Sequence, residues 1–368
     1  MRERKNDREY SLEGLKGLIV CEIAFLYHYA EHFGAETVWM SKVFPFSIEN
    51  GYLGVELFFI LSGFGMMKGY ANRISNNEIS FGEYMRRRIV RLYPLHLLTL
   101  VFVAVLESVY AAISSELFVV DNYDIYHFVL NFFCVQTGVF GTDLSFNTPA
   151  WCISIYLILY IVFFVVVKKT KSRKQFLIAS ALLAIYGVRL IWGGSGPLLN
   201  SLVGRGISCF FIGVLLEAAY ERCLLVGREL ILYILLGIAA VCVGAFHFGP
   251  EKSELVGNVQ MLTILFIGPG LILSALQLKW LRTLLALRPL AYLGKLSIGI
   301  YLVHFPVQCL MRVVDVAADL QLDYSSTLVW LVYVLITIAF AATAMKLTDI
   351  LVARIKEENR RKAIKERN

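Results

Sequence analysis

Apolar blocks of about 20 residues, the length that crosses a hydrocarbon core as a helix, recur from end to end of this chain. That repeat constrains the fold more than any other feature. A bilayer forces every backbone polar group to pair internally, so only helices or a closed barrel can span it. The blocks are continuous rather than alternating with period two, which selects helices. The composition agrees: 58% of the 368 residues are hydrophobic and 17% charged, too apolar for an ordinary soluble domain. The expectation is an all-α, polytopic membrane bundle of about ten transmembrane helices. The spans are placed at 12–32, 51–70, 92–112, 149–167, 174–193, 201–220, 228–248, 255–276, 287–309 and 325–347. The segment 113–148 holds one further apolar piece, YHFVLNFF, too short to span and suited to the interface. The first span contains Glu22 and lacks a small-residue cleavage pattern, so it reads as a retained helix.

Lysine and arginine set the orientation. With a cytoplasmic N-terminus, the inner segments carry MRERKNDRE, RRRIVR, KKTKSRK and the tail RIKEENRRKAIKERN. The outer ones hold Lys42, Arg189, Arg205, Lys252 and Arg312. Both termini are therefore expected in the cytoplasm, in a multi-pass protein of the plasma membrane. Residues 1–368 read as one membrane domain with a basic tail from about 350. The net charge of +7 reflects those loops and the lipid headgroups they meet, and is no argument for nucleic acid. The seven cysteines are scattered without C-x-x-C, so they read as small apolar residues. No phosphate loop, zinc spacing or G-x-S-x-G elbow stands out, and no metal is expected.

Titratable side chains inside spans are costly and point to function. His28, in IAFLYHYAEH, lies near the outer end of the first span. Glu56 lies at a similar depth in the second. A carboxylate beside an imidazole fixes its tautomer and raises its basicity, as a general base requires. The plainer alternative is a buried hydrogen-bond network. In YMRRRIVRLYP, Arg88 and Arg91 are three apart and share a helical face. They either snorkel to lipid phosphates or bind a polyanionic ligand, for which guanidinium forks are suited. Ser297, Tyr301 and His304 form one helical stripe that reads first as interhelical glue. Trp151 and Trp192, at span ends, read first as interface anchors.

In order along the chain, YSLEGLKGLIVCEIAFLYH, GYLGVELFFILSGFGM, FGEYMRRRIVRLYP, GRGISCFFIGVLL and LGKLSIGIYLVHFPV resemble the membrane-bound acyltransferase 3 family. The resemblance implies transfer of an acyl group, commonly acetyl, from cytoplasmic acyl-CoA to a hydroxyl of a cell-envelope carbohydrate. It implies His28 as general base or acyl carrier, to which the depth reading adds Glu56 as partner, and it fits Arg88, Arg91 and Lys16 to the CoA phosphates. Ser62, Trp151, Ser154, Arg205, Ser297, Tyr301 and His304 become polar residues of substrate binding or structure. Many relatives carry a glutamate in W-S-L-S-V-E, whereas this chain has WCISIY, with Tyr156 in that place. The C-terminal hydrolase-like domain of some relatives is not expected. The rivals are a proton-coupled transporter using His28, Glu22 and Glu56, and a non-catalytic factor of polysaccharide assembly.

One spacing departs from the family pattern. Its basic residue and histidine stand eleven apart, which at about 100° per residue returns to nearly the same helical face. Lys16 and His28 are twelve apart. The extra residue predicts a π-bulge or similar irregularity near Glu22, with a freed carbonyl that a neighbour must satisfy. A regular helix would instead leave Lys16 at the lipid surface.

Overall fold

The computed structural model describes residues 2–34, 37–119, 122–137, 144–193, 196, 198–223 and 259–365. Those residues are overwhelmingly helical and contain no strand. Eight of the helices are long and apolar enough to cross a membrane. They correspond to expected spans two to six and eight to ten. The first expected span is helical throughout but includes Glu13, Lys16, Glu22 and Glu31, so it stands apart from the eight. The expected span at 228–248 lies outside the described residues.

The chain begins with α1 (Arg2–Cys21), passes through a π-helical turn at Glu22–Tyr27 and continues as α2 (His28–Phe33). Short helices α3 (Val38–Val43) and α4 (Pro45–Asn50) lead into α5 (Gly54–Ser75). Next come α6 (Phe81–Ser114), the short α7 (Ile125–Phe132), α8 (Trp151–Lys169), α9 (Arg173–Gly193) and α10 (Ser201–Cys223). After a second π-helical turn at Thr263–Ile267 follow α11 (Gly268–Gln277), α12 (Lys279–Leu285), α13 (Arg288–Lys295), α14 (Ser297–Ala317) and α15 (Thr327–Lys365). The expected span at 287–309 is thus corrected. A break at Leu296 separates the short amphipathic α13 from a spanning helix that starts ten residues later than expected, at Ser297.

Close backbone approach holds the bundle, as expected where lipid offers no hydrophobic drive between helices. A Cβ at Gly63 of α5 would overlap the Phe210 carbonyl of α10, and one at Gly213 of α10 would overlap the Ile60 carbonyl of α5. Helix α6 starts at an N-cap, where Ser80 Oγ accepts from the Glu83 N–H at 3.2 Å. From there it runs unbroken through Arg86–Arg91 into the apolar core, so the paired arginines sit on a rigid rod.

The π-helical turn falls where the spacing placed it. Its carbonyls are satisfied from α15: Trp330 Nε1–H donates to Phe25 O at 2.7 Å and Tyr333 Oη–H to Ala24 O at 2.8 Å. Gln308 Nε2–H of α14 reaches the His28 carbonyl at 3.2 Å. Three neighbours therefore cover the backbone acceptors that the widened turn exposes.

Candidate functional site

A cavity of about 400 Å³ opens inside the bundle. Along α5 its wall includes Val55, Phe58, Ser62, Met66 and Tyr70. The fifteen steps of helix from Val55 to Tyr70 rise about 22 Å, more than one leaflet of a hydrocarbon core about 30 Å thick. One end is basic. Lys16, Arg88 and Arg91 line it. Arg88 bonds the Tyr70 hydroxyl, and its guanidinium stands 4.5 Å from the Tyr70 ring centre. Arg88 is half-buried, and its Nε is buried with no hydrogen-bond partner. Arg86 and Arg87 are exposed, and Arg87 pairs with Glu83 one turn back. Of the four arginines, Arg88 is the half-buried one, and Arg91, though exposed like Arg86 and Arg87, shares its face and lines the cavity with it.

Lys16 lines the cavity and also pairs with Glu13 at 2.9 Å. Ser297 lines the wall, with Tyr301 one turn further along α14. Cys152 and Tyr156 close the α8 side. The residue that replaces the family glutamate therefore presents a phenol to this cavity.

His304 follows one turn beyond Tyr301. It is fully buried; its Nδ1–H donates to the Tyr301 carbonyl at 2.8 Å, and its Nε2 has no partner. Its ring centre lies 5.0 Å from that of His28. Ser297 and Tyr301 thus line the cavity, and His304, the third residue of the stripe, stands beyond it beside the histidine on the π-bulged helix.

The partner of His28 differs from the expectation. Glu56 is fully buried and accepts from Arg205 Nε at 2.7 Å, Arg205 Nη2 at 3.1 Å and Gln260 Nε2 at 2.8 Å. The expected match in depth is not kept either: Gly54 of α5 packs on Ile19 and Ile23, more than a turn before His28, and Glu56 lies beyond it, facing α10, where a bidentate guanidinium occupies it. The carboxylate at His28 is Glu31, whose Oε2 is 3.0 Å from His28 Nδ1. Its other oxygen accepts from the Tyr27 hydroxyl at 2.9 Å. Glu31 was legible from its spacing, three residues after His28 on the same helical face. His32 adds a third group: its Nε2 is 3.2 Å from His28 Nδ1, and its Nδ1 bonds Gln308 Oε1 at 2.7 Å.

The other polar residues are structural in this arrangement. Ser154 Oγ–H donates to Gln136 Oε1 at 2.7 Å. Trp151 lies under the Arg205 guanidinium, 5.1 Å from ring centre to carbon, rather than acting only as an interface anchor. Trp192 is exposed, as an anchor would be. Glu22 is hydrogen-bonded to Ser47. The three groups of the supposed proton relay, His28, Glu22 and Glu56, are therefore each held by separate partners.

Among known families, the acyltransferase domain of the acyltransferase 3 type matches residues 9–346. A putative acetyltransferase, ORF330, of Acidianus two-tailed virus is 23% identical over 327 residues, covering 85% of this chain and 87% of that protein. "Protein 2 in picA locus" of Rhizobium radiobacter is 31% identical over 104 residues, covering 28% of this chain and 48% of that protein. The chain thus spans about half the length of that relative. No solved structure matches.

Proposed function

Because the chain belongs to the acyltransferase 3 family, we propose that it moves an acyl group, commonly acetyl, from acyl-CoA to a hydroxyl of a cell-envelope carbohydrate. The observation that carries this reading is the single cavity that joins Lys16, Arg88 and Arg91 to Tyr301, with His304 and His28 just beyond. The three cations suit the CoA phosphates, and guanidinium donors match phosphate oxygens. The elongated cavity suits the pantetheine arm, which would carry the thioester toward His28.

His28 is the general base. Its Nδ1–H donates to Glu31, which leaves Nε2 unprotonated and basic. Nε2 takes the proton of the acceptor hydroxyl as that oxygen attacks the thioester carbonyl. The C–S bond breaks, the ester forms, and the proton passes from the imidazolium to the departing CoA thiolate. Glu31 holds the ring and stabilises the imidazolium, as a carboxylate does for the histidine of a catalytic triad. Glu56 supports the site indirectly, by fixing Arg205 between α5 and α10.

The test incubates purified protein with radiolabelled acetyl-CoA and cell-envelope glycans. Label should appear as an alkali-labile ester on the glycan, and His28→Ala should abolish it. Full transfer by His28→Ala removes the base assignment. Absence of any acyl transfer by the wild type, with folded protein and several acyl chain lengths, removes the function.

A further inference from the structure

Against the expectation that no zinc spacing occurs, His28 to His32 spell H-x-x-E-H, in which one class of zinc enzymes binds the ion through both histidines and keeps the glutamate as base; here the structure closes all three side chains into a compact donor triangle. His28 Nδ1 and Glu31 Oε2 are 3.0 Å apart, His28 Nδ1 and His32 Nε2 3.2 Å, and His32 Nε2 and Glu31 Oε2 3.5 Å. We propose that these three atoms form a binding site for one divalent transition-metal ion of the zinc class. An ion about 1 Å above their plane would stand about 2.1 Å from each, the usual distance for zinc with imidazole and carboxylate ligands.

The surroundings supply what such a site needs. Gln308 donates through Nε2 to the His28 carbonyl and the Tyr333 hydroxyl, both at 3.2 Å, which turns its Oε1 toward His32 Nδ1. His32 therefore carries its proton on Nδ1 and presents a bare Nε2 to the triangle, the outer-shell arrangement that orients metal-bound histidines. One proton on His28 Nδ1 can serve the other two atoms only by sharing, whereas a dication serves all three. The unpartnered, buried His304 Nε2 lies beside the His28 ring and can accept a hydrogen bond from a water on the ion. Glu31 is 46% exposed, which gives the ion a way in, while the His32 side chain is 4% exposed.

A metal on Nδ1 leaves the neutral His28 ring protonated at Nε2, without the lone pair a base requires. Zinc should therefore inhibit acyl transfer. This consequence rests on the proposed function; the binding itself does not.

The experiment titrates full-length protein in detergent with Co²⁺ and follows its visible ligand-field absorption. One equivalent should bind, Zn²⁺ should displace it, and a chelator should remove both. His32→Ala and Glu31→Gln should each weaken binding at least tenfold, with folding checked by size exclusion and thermal unfolding. The half-exposed Glu31 is the position whose change threatens folding less, so it carries the test if His32→Ala misfolds. Absence of Co²⁺ binding by the wild type overturns the site, as does unchanged affinity in a folded variant. Transfer measured with chelator present tests the proposed function separately, and full transfer by zinc-saturated protein overturns the inhibitory consequence.

Discussion

Arg88 and Arg91 owe their place to one helical phase difference, and their contribution can be measured residue by residue. Under the proposed function each Arg→Ala change would remove charge-assisted hydrogen bonds to phosphate, worth about 1.5–3 kcal/mol, so acyl-CoA affinity should fall roughly 10- to 150-fold. Calorimetry with CoA checks this, and unchanged affinity in both variants returns the pair to lipid contact. Arg87→Ala, on the exposed face, should leave affinity within about twofold, because an exposed ion pair such as its bond to Glu83 contributes about 0–1 kcal/mol. Glu56 makes a different prediction. Removing one member of a buried ion pair leaves the other unpaired, a cost of about 3–5 kcal/mol. Glu56→Ala should thus lower the thermal midpoint in detergent, and Glu56→Ala combined with Arg205→Met should recover much of it. A Glu56→Ala protein as stable as wild type would show that this pair does not hold α5 to α10. Counting residues from span ends put Glu56 level with His28, but the register of α5 against the first helix and the rotation of α5 toward α10 are tertiary, and a residue count does not contain them.

At the scale of the element, the widened turn at Glu22–Tyr27 is the feature on which the site depends. It absorbs the twelfth residue between Lys16 and His28, and α15 supplies the Trp330 and Tyr333 donors that make it tolerable. Deletion of Glu22 should convert the turn to regular α-helix while keeping Lys16 and His28 in phase. Insertion of one alanine there should rotate His28 by about 100° away from His304 and Gln308. The expected result is a folded deletion variant that retains CoA binding, and an insertion variant that loses acyl transfer. The reverse order of tolerance would sink the phase argument. This irregularity was legible because it is arithmetic on a spacing. The break at Leu296 was not, since a span-length window over 287–309 averages the amphipathic α13 with the apolar α14. The division shows only in the amphipathic pattern of RPLAYLGK, whose buried Ala291 and Gly294 face α1; a Cβ at Gly294 would overlap the Glu13 carbonyl.

Across the described residues, most of the lysines and arginines gather at one end, and contacts within the bundle tie several of them to it. Lys295 stands 5.4 Å from the Tyr10 ring centre, and Lys168 donates to Asn77 in the turn between α5 and α6. The N-terminal helix, that turn, the α8–α9 connection and α13 thus share an end with the cavity opening at Arg88 and Arg91. The helical class and eight of the ten expected spans were legible because lipid imposes a length and a composition on each element separately. The cavity was not, because it arises from the relative rotation of α5, α6, α8 and α14, which no single segment specifies. The same charge asymmetry predicts orientation. Lys/Arg-rich ends stay on the cytoplasmic side, so this end should face the cytoplasm and the α2–α4 region should face outward. Lys42 is exposed in α3, about 20 Å or more of helix beyond Lys16, while Lys169, Lys171 and Lys174 are exposed around the α8–α9 connection. A membrane-impermeant amine reagent applied to intact cells should modify Lys42 and spare those three, and all four should react after permeabilisation. Labelling of the α8–α9 lysines in sealed cells would invert the topology. It would also place the basic opening away from cytoplasmic acyl-CoA, and the proposed donor would then have to be replaced along with the orientation.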